Sequence, residues 1–485
     1  MRETAVVLPT KTIGRKDSSL SERPSEKNGW LALAAFLGIT ALLLIAIRGR
    51  VVEVAFTPLA IVVGVYLLFR YERIYLVHTV ILLCCTPFVH RVADNGGTIV
   101  EHSPMLAAPI LVTFLSVLRI GKFRLLDPQN LVYVLALLGV LYGAFVGFLR
   151  NGVAAAAVPL LGWLCPLMIG MFCYLQEDSQ QSLARMFNRA VMVVGGIVAV
   201  YGVLQFFAPF AWDTYWLAQL QAQGQAISMG TPEALHIRVF STCNNSQAAG
   251  SLLGYDILVT CVLRFRWKLV AIVSPILALA LTSVRSAWVA CACAGVVLFI
   301  RAGTKAKIQT VFVLGILLVL GVAAASTPAG STIADRLTSF GSVKNDTSYR
   351  EREIGRKAIA KVIGNEPFGL GIGYVTSFEK TASFAITDQG VVTMPMELGY
   401  LGVTLYGIAI AMLLFGPLWK GIRSNGEILM LALGMLYIIF LFANTNPLNT
   451  ALGVFFWVPA SLMLKFFTTQ ATSTNKRLQK AYAPI

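Results

Sequence analysis

This 485-residue chain is short of charge: only 13% of its residues are charged, and 23 Asp and Glu stand against 39 Lys and Arg. A water-soluble globular domain carries about a quarter charged residues, so the shortage excludes that class. Histidine is scarce as well, with four in all, and no cluster of carboxylates stands along the chain; neither pattern points to a bound metal. Eight cysteines are present without metal or disulfide spacing. Cys84, Cys85, Cys165, Cys173, Cys261, Cys291 and Cys293 lie in or beside apolar runs and only Cys243 is in a loop, so they read as small core residues. The period-2 alternation of a membrane barrel is also missing, which leaves helices as the means of crossing a bilayer.

What is present in excess is apolar sequence. The hydrophobic fraction is 57% and the mean hydropathy +0.73. Nearly uncharged runs of about 16–22 residues recur from Trp30 to Phe466, and about 20 apolar residues span a bilayer core as a helix. The expected fold is therefore an all-α polytopic membrane protein of about 14 (12–14) transmembrane helices. The runs 268–283 and 286–301 are marginal in length for a span. The net charge of +16 reflects lysines and arginines kept in cytoplasmic loops rather than a nucleic-acid surface.

With the N-terminus inside, Arg70 and Arg73, Arg119 to Arg124, Arg264 to Lys268, Arg301 to Lys307, and Lys420 with Arg423 all become cytoplasmic; Arg48 and Arg50 are a local exception. The chain then divides into a disordered cytoplasmic tail (1–28), a first membrane bundle (29–208), an outer loop (209–246), further spans (247–326), a large outer loop (327–390), the last spans (391–467) and a second cytoplasmic tail (468–485). Loops as long as 209–246 and 327–390 are usually functional or disordered.

The large loop holds the densest charge in the chain, "SYREREIGRKAIAKVIGNEPFGLGIG", residues 348–373. Laid on a helix, it is amphipathic: Arg352 and Arg356 stand one turn apart at the edge of the apolar face, while Arg350, Lys357 and Lys361 gather about 140–180° away. Asn365-Glu366-Pro367 ends the helix, and Gly369, Gly371 and Gly373 follow as a turn that permits close backbone approach. An interfacial helix on lipid phosphates is the plain alternative. Arg285 falls at the outer junction of two short spans, and an arginine in that setting usually has an anionic partner. Arg238 precedes a span that Asn244 or Asn245 would cap, unless they donate to a ligand. Asp388 stands where the large loop re-enters the membrane, and Glu397 about two turns into the next span, either functional or paired structurally with an arginine. Several arginines and a carboxylate at one boundary suit a diphosphate leaving group and an attacking hydroxyl.

Three blocks, "RVFSTCNNSQAAGSLL", "LTSVRSAWVA" and the 347–373 segment in which Pro367 follows Arg352 by fifteen positions, resemble the superfamily of O-antigen ligases and Wzy-type polysaccharide polymerases, exopolysaccharide polymerases included. A fourth, "Glu397-Leu398-Gly399-Tyr400-Leu401-Gly402", is similar to its Glu-Leu-Gly-x-x-Gly run, but Asp388 stands where ligases carry histidine. The resemblance implies a metal-independent, cofactor-free glycosyltransferase in the bacterial inner membrane, with both termini cytoplasmic. Its substrate would be an undecaprenyl-diphosphate-linked oligosaccharide, polymerised on the periplasmic face, with ligation as the runner-up. Arg285, Arg352 and Asp388 would be catalytic; Arg238, Arg356, Asn245 and Glu397 would bind substrate or orient the site. A chain-length-regulating co-polymerase and a flippase are the implied partners. A flippase, the rival from another class, should show two matching halves and midplane polar residues, and neither is evident. A structural or assembly protein would need none of the arginines.

Overall fold

The computed structural model describes residues 26–95, 103–121, 123–176, 180–223, 229–263, 268–301, 363–375, 390–420, 425–443, 446–449 and 451–464, with scattered positions between 304 and 361. Among the described residues no strand occurs, and the only β-type pairing is one isolated bridge, Gly230 to Ile237. The helices are α1 (Glu26–Ala46), α2 (Arg50–Arg70), α3 (Glu72–Asp94), α4 (Ala108–Phe114, flanked by tighter turns over 104–119), α5 (Leu131–Arg150), α6 (Val153–Leu175), α7 (Gln180–Phe207), α8 (Ala211–Ala222), α9 (Ser246–Val262), α10 (Lys268–Leu281), α11 (Arg285–Arg301), α12 (Gly390–Lys420), α13 (Asn425–Ala443) and α14 (Val454–Leu464).

Seven of these regions are long and apolar enough to cross a membrane: α1, α2, α3, α5 with the turn before it, α6, α7 and α12. Five further apolar helices run to 10–17 residues. The polytopic all-helical fold is as expected from composition; among the described residues helix length supports seven spans and does not establish the expected count of about 14. The expected span 308–326 lies, apart from single positions, outside the described residues. Prolines inside α2, α3, α6 and α10 are compatible with membrane helices, where neighbouring helices and side chains satisfy the freed backbone groups.

Small residues set the closest helix contact. Gly139, Gly143 and Gly147 recur at four-residue intervals on α5 and meet Gly402, Leu398 with the Glu397 carbonyl, and Ile372 in turn. The order is antiparallel, and the absence of side chains lets the backbones approach, as in the small-xxx-small packing of membrane helices. Gly250 and Gly254 on α9 face Ala287 and Cys291 on α11, so these two helices run parallel; Gly254 also faces Leu436 on α13, and Gly390 at the start of α12 meets Leu441 near the end of α13. These registers put the starts of α9 and α11 side by side, and the start of α12 beside the ends of α5 and α13.

The described residues of the segment 209–246 are folded. They include α8, and Trp216, Leu217, Met229, Ile237 and Phe240 form a small buried core of their own.

Candidate functional site

The segment from Leu235 to Asn245 is held from three sides. The side-chain Oε1 of Gln205 on α7 accepts from the backbone N–H groups of Phe240 (3.2 Å) and Ser241 (2.8 Å). Thr242 donates to the Cys84 carbonyl at 2.6 Å. Arg91, wholly buried near the end of α3, donates to the Ser241 and Cys243 carbonyls and to the Asn244 side chain, and through Nε to Asp213 at 2.9 Å. Its guanidinium also lies against the Phe240 and Trp216 rings, at 4.9 and 5.4 Å, a favourable cation–π setting. Tyr201 donates to the other Asp213 oxygen. Ser241 is left-handed at φ 51°, a conformation uncommon for a non-glycine residue and here over-determined by these bonds. Burial pushes the Cys243 thiol up to about 11, although Arg91 pulls the other way; it is not a reactive nucleophile near neutral pH.

This scaffold carries Arg238 to the start of α11. The Arg238 guanidinium donates to the carbonyls of Thr282 (3.4 Å) and Ser283 (3.1 Å), and the Val239 N–H to Leu281 (3.1 Å). Arg285 is the first residue of α11, half-buried, two positions beyond Ser283, which is itself left-handed at φ 54°. Cations are disfavoured at a helix N-terminus, where the macrodipole is positive, whereas an anion there is favoured. Two arginines at such an end therefore make a setting for an oxyanion.

A second polar focus stands at the start of α12. Glu397 is buried, and its Oε2 accepts from Trp163 Nε1 on α6 (2.8 Å) and from Asn449 Nδ2 (3.4 Å). One residue earlier, the Met396 carbonyl accepts from Leu370 (2.7 Å) and Gly371 (3.2 Å), and Ile372 donates to Gly143 (3.0 Å). Asn151, just past α5, donates to the Leu370 and Ile372 carbonyls at 3.0 and 3.2 Å. The turn after the amphipathic segment is thus wedged between α5 and α12. Gly371 has φ 83° and a Cβ there would strike the Gly147 backbone; Gly399 kinks α12 at φ 64°, against the Phe368 carbonyl. The close approach expected of the Gly369-x-Gly371-x-Gly373 turn is observed.

Of the residues singled out in the sequence, the fold brings Arg238 to Arg285 and brings the glycine turn to Glu397. Asn245 takes the capping role: its side-chain oxygen accepts from the Ala248 N–H at 2.6 Å, at the N-terminus of α9. Arg352, Arg356 and Asp388 lie outside the described residues. Sequence reasoning passed over Arg91, Asp213, Tyr201, Trp163 and Asn449. Arg91 stands at the end of an apolar run, which was a signal; its partner 122 positions away was not readable. Among the described residues one group with metal-ligand proximity also occurs, Glu53 on α2 with His90 and Asp94 on α3, next to Arg91 in the chain.

Residues 270–407 match the family model described as O-antigen ligase. Over that stretch the chain is similar to the O-antigen ligase/Wzy-type superfamily. The matched stretch of this O-antigen ligase-like protein runs from α10 into α12 and includes Arg285, the glycine turn and Glu397, whereas Arg238 and Asn245 precede it. No curated protein matches the chain.

Proposed function

We propose that this protein is a member of that superfamily and a polysaccharide polymerase of the bacterial inner membrane. It would join repeat units carried on undecaprenyl diphosphate at the periplasmic end of the bundle, without a metal at the diphosphate. The observation that carries the proposal is the seating of Arg238 on the Thr282 and Ser283 carbonyls, which brings a second guanidinium to the helix start bearing Arg285. Guanidinium forks bind phosphate oxygens and stabilise charge developing on a departing diphosphate. Arg352, with Arg356 one turn on, would complete the donor site, Asp388 would take the proton from the acceptor hydroxyl, and Glu397 would hold the α12 start against the glycine turn. Asn245 would support the site by starting α9 beside Arg238.

Ligation is the second reading, favoured by the printed description of the matching family; aspartate at 388 in place of histidine favours polymerisation. Purified protein supplied with a lipid-diphosphate oligosaccharide separates them. A polymerase yields longer glycan on the same lipid and releases undecaprenyl diphosphate; a ligase leaves the glycan length unchanged and moves it to another acceptor. Arg285→Ala, Arg352→Ala and Asp388→Asn should each cut turnover by at least about 100-fold, while Lys357→Ala should stay near the parent. Normal turnover in all three at normal protein levels would sink the mechanism.

A further inference from the structure

We infer that Glu53, His90 and Asp94 form a binding site for a divalent transition cation, with Zn²⁺ the best fit. Glu53 lies in the first turn of α2, and His90 and Asp94 are one turn apart near the end of α3. One ligand atom from each falls within 4.8 Å of the others. His90 Nε2 and Asp94 Oδ2 are 3.2 Å apart, close to the edge of a coordination tetrahedron with bonds of about 2.0–2.2 Å. The two helices are already clamped beside the cluster by the Gly49 N–H donating to the Ala93 carbonyl at 3.0 Å.

Charge and burial make the case. Glu53, His90 and Asp94 are 3%, 2% and 4% exposed. Two carboxylates removed from water need compensation. Asp94 has the His90 imidazole, but among the described residues the Glu53 carboxylate takes neither a hydrogen bond nor an ion pair. Arg91, the neighbouring cation, is committed to Asp213 and to the 241–244 segment. A dication neutralises both carboxylates at once.

The donor set selects the ion. One imidazole with two carboxylates suits Zn²⁺, whereas Mg²⁺ and Ca²⁺ take all-oxygen shells. Three protein ligands leave a position for water or a fourth donor. Because α2 and α3 supply none of the residues proposed at the diphosphate, the ion would act structurally, locking α2 to the end of α3 and so steadying Arg91. No motif spacing announces the site, since Glu53 is remote from His90 in the chain.

The test uses the full-length protein in detergent, carrying no polyhistidine tag, stripped with a chelator and titrated with Zn²⁺ or Co²⁺ near neutral pH. The expected result is about one ion per chain by elemental mass spectrometry and tetrahedral-type visible absorption with Co²⁺. A higher thermal midpoint with Zn²⁺ and none with Mg²⁺ is also expected. Glu53→Gln and His90→Gln should each weaken Zn²⁺ binding by at least about tenfold. Zn²⁺ retention no greater than that of the Glu53→Gln/His90→Gln/Asp94→Asn variant would overturn the site and leave a proton-sharing cluster instead. Should that variant fail to fold, a Co²⁺ spectrum of the parent protein identical to that of the aqueous ion would overturn it alone.

Discussion

Arg91 shows how much a single side chain can organise when it is buried with a full set of acceptors. Every nitrogen of its guanidinium donates, and its charge is balanced by Asp213, equally inaccessible to solvent. Such a pair is a weak source of net stability, because desolvation offsets the attraction, but removing one partner leaves an uncompensated buried charge. Arg91→Ala should therefore lower stability by about 3–5 kcal/mol, read as a large fall in the thermal midpoint or in accumulation in membranes. The double replacement Arg91→Met with Asp213→Leu should recover much of that loss. A single variant as stable as the parent would mean that the guanidinium is not what holds the 241–244 segment.

At the scale of elements, the decisive feature is the glycine-lined dock of α5, the 367–373 turn and the start of α12. Gly139 and Gly147 on α5 face backbone and Gly143 faces both the Leu398 side chain and the Glu397 carbonyl, and the turn meets them with left-handed glycines of its own. Gly371→Ala places a methyl group on the Gly147 backbone and forces alanine to a positive φ, so it should destabilise by more than about 1 kcal/mol and shift Glu397 relative to Trp163. Gly196, in the middle of α7 with open space around its Cα, is the control. Alanine there should be neutral or stabilising by up to about 1 kcal/mol. Equal thermal midpoints for the two variants would show that the dock contributes nothing to packing.

For the whole molecule, the proposed site needs the Arg238 loop, Arg285, Glu397 and the glycine turn on the outer face, the side that the distribution of lysine and arginine in the sequence leads one to expect. A phosphatase reporter active only outside the cytoplasm, fused after Gln223, should be active; fused after Ile485 it should be silent, with a cytoplasmic reporter giving the reverse. The opposite pattern would place the proposed diphosphate site in the cytoplasm and remove the case for an outward-facing polymerase.

Burial of apolar residues in lipid and internal satisfaction of the backbone are local demands, so the sequence by itself determined a polytopic helical protein, the glycine turn after Pro367 and the family of the 270–407 stretch. Arg238, Arg285 and Glu397 were legible for the same kind of reason: a charge beside an apolar run is costly wherever it folds. Asn245 was readable as a cap because the bond it makes spans only three residues. Which helix lengths meet the bilayer, and which charges find which partners, needed the tertiary structure. Arg91 with Asp213, Trp163 with Glu397, and Glu53 with His90 join residues far apart in the chain. Ligation and pairing depend on distances of a few ångströms, which helix packing sets and chain spacing does not encode.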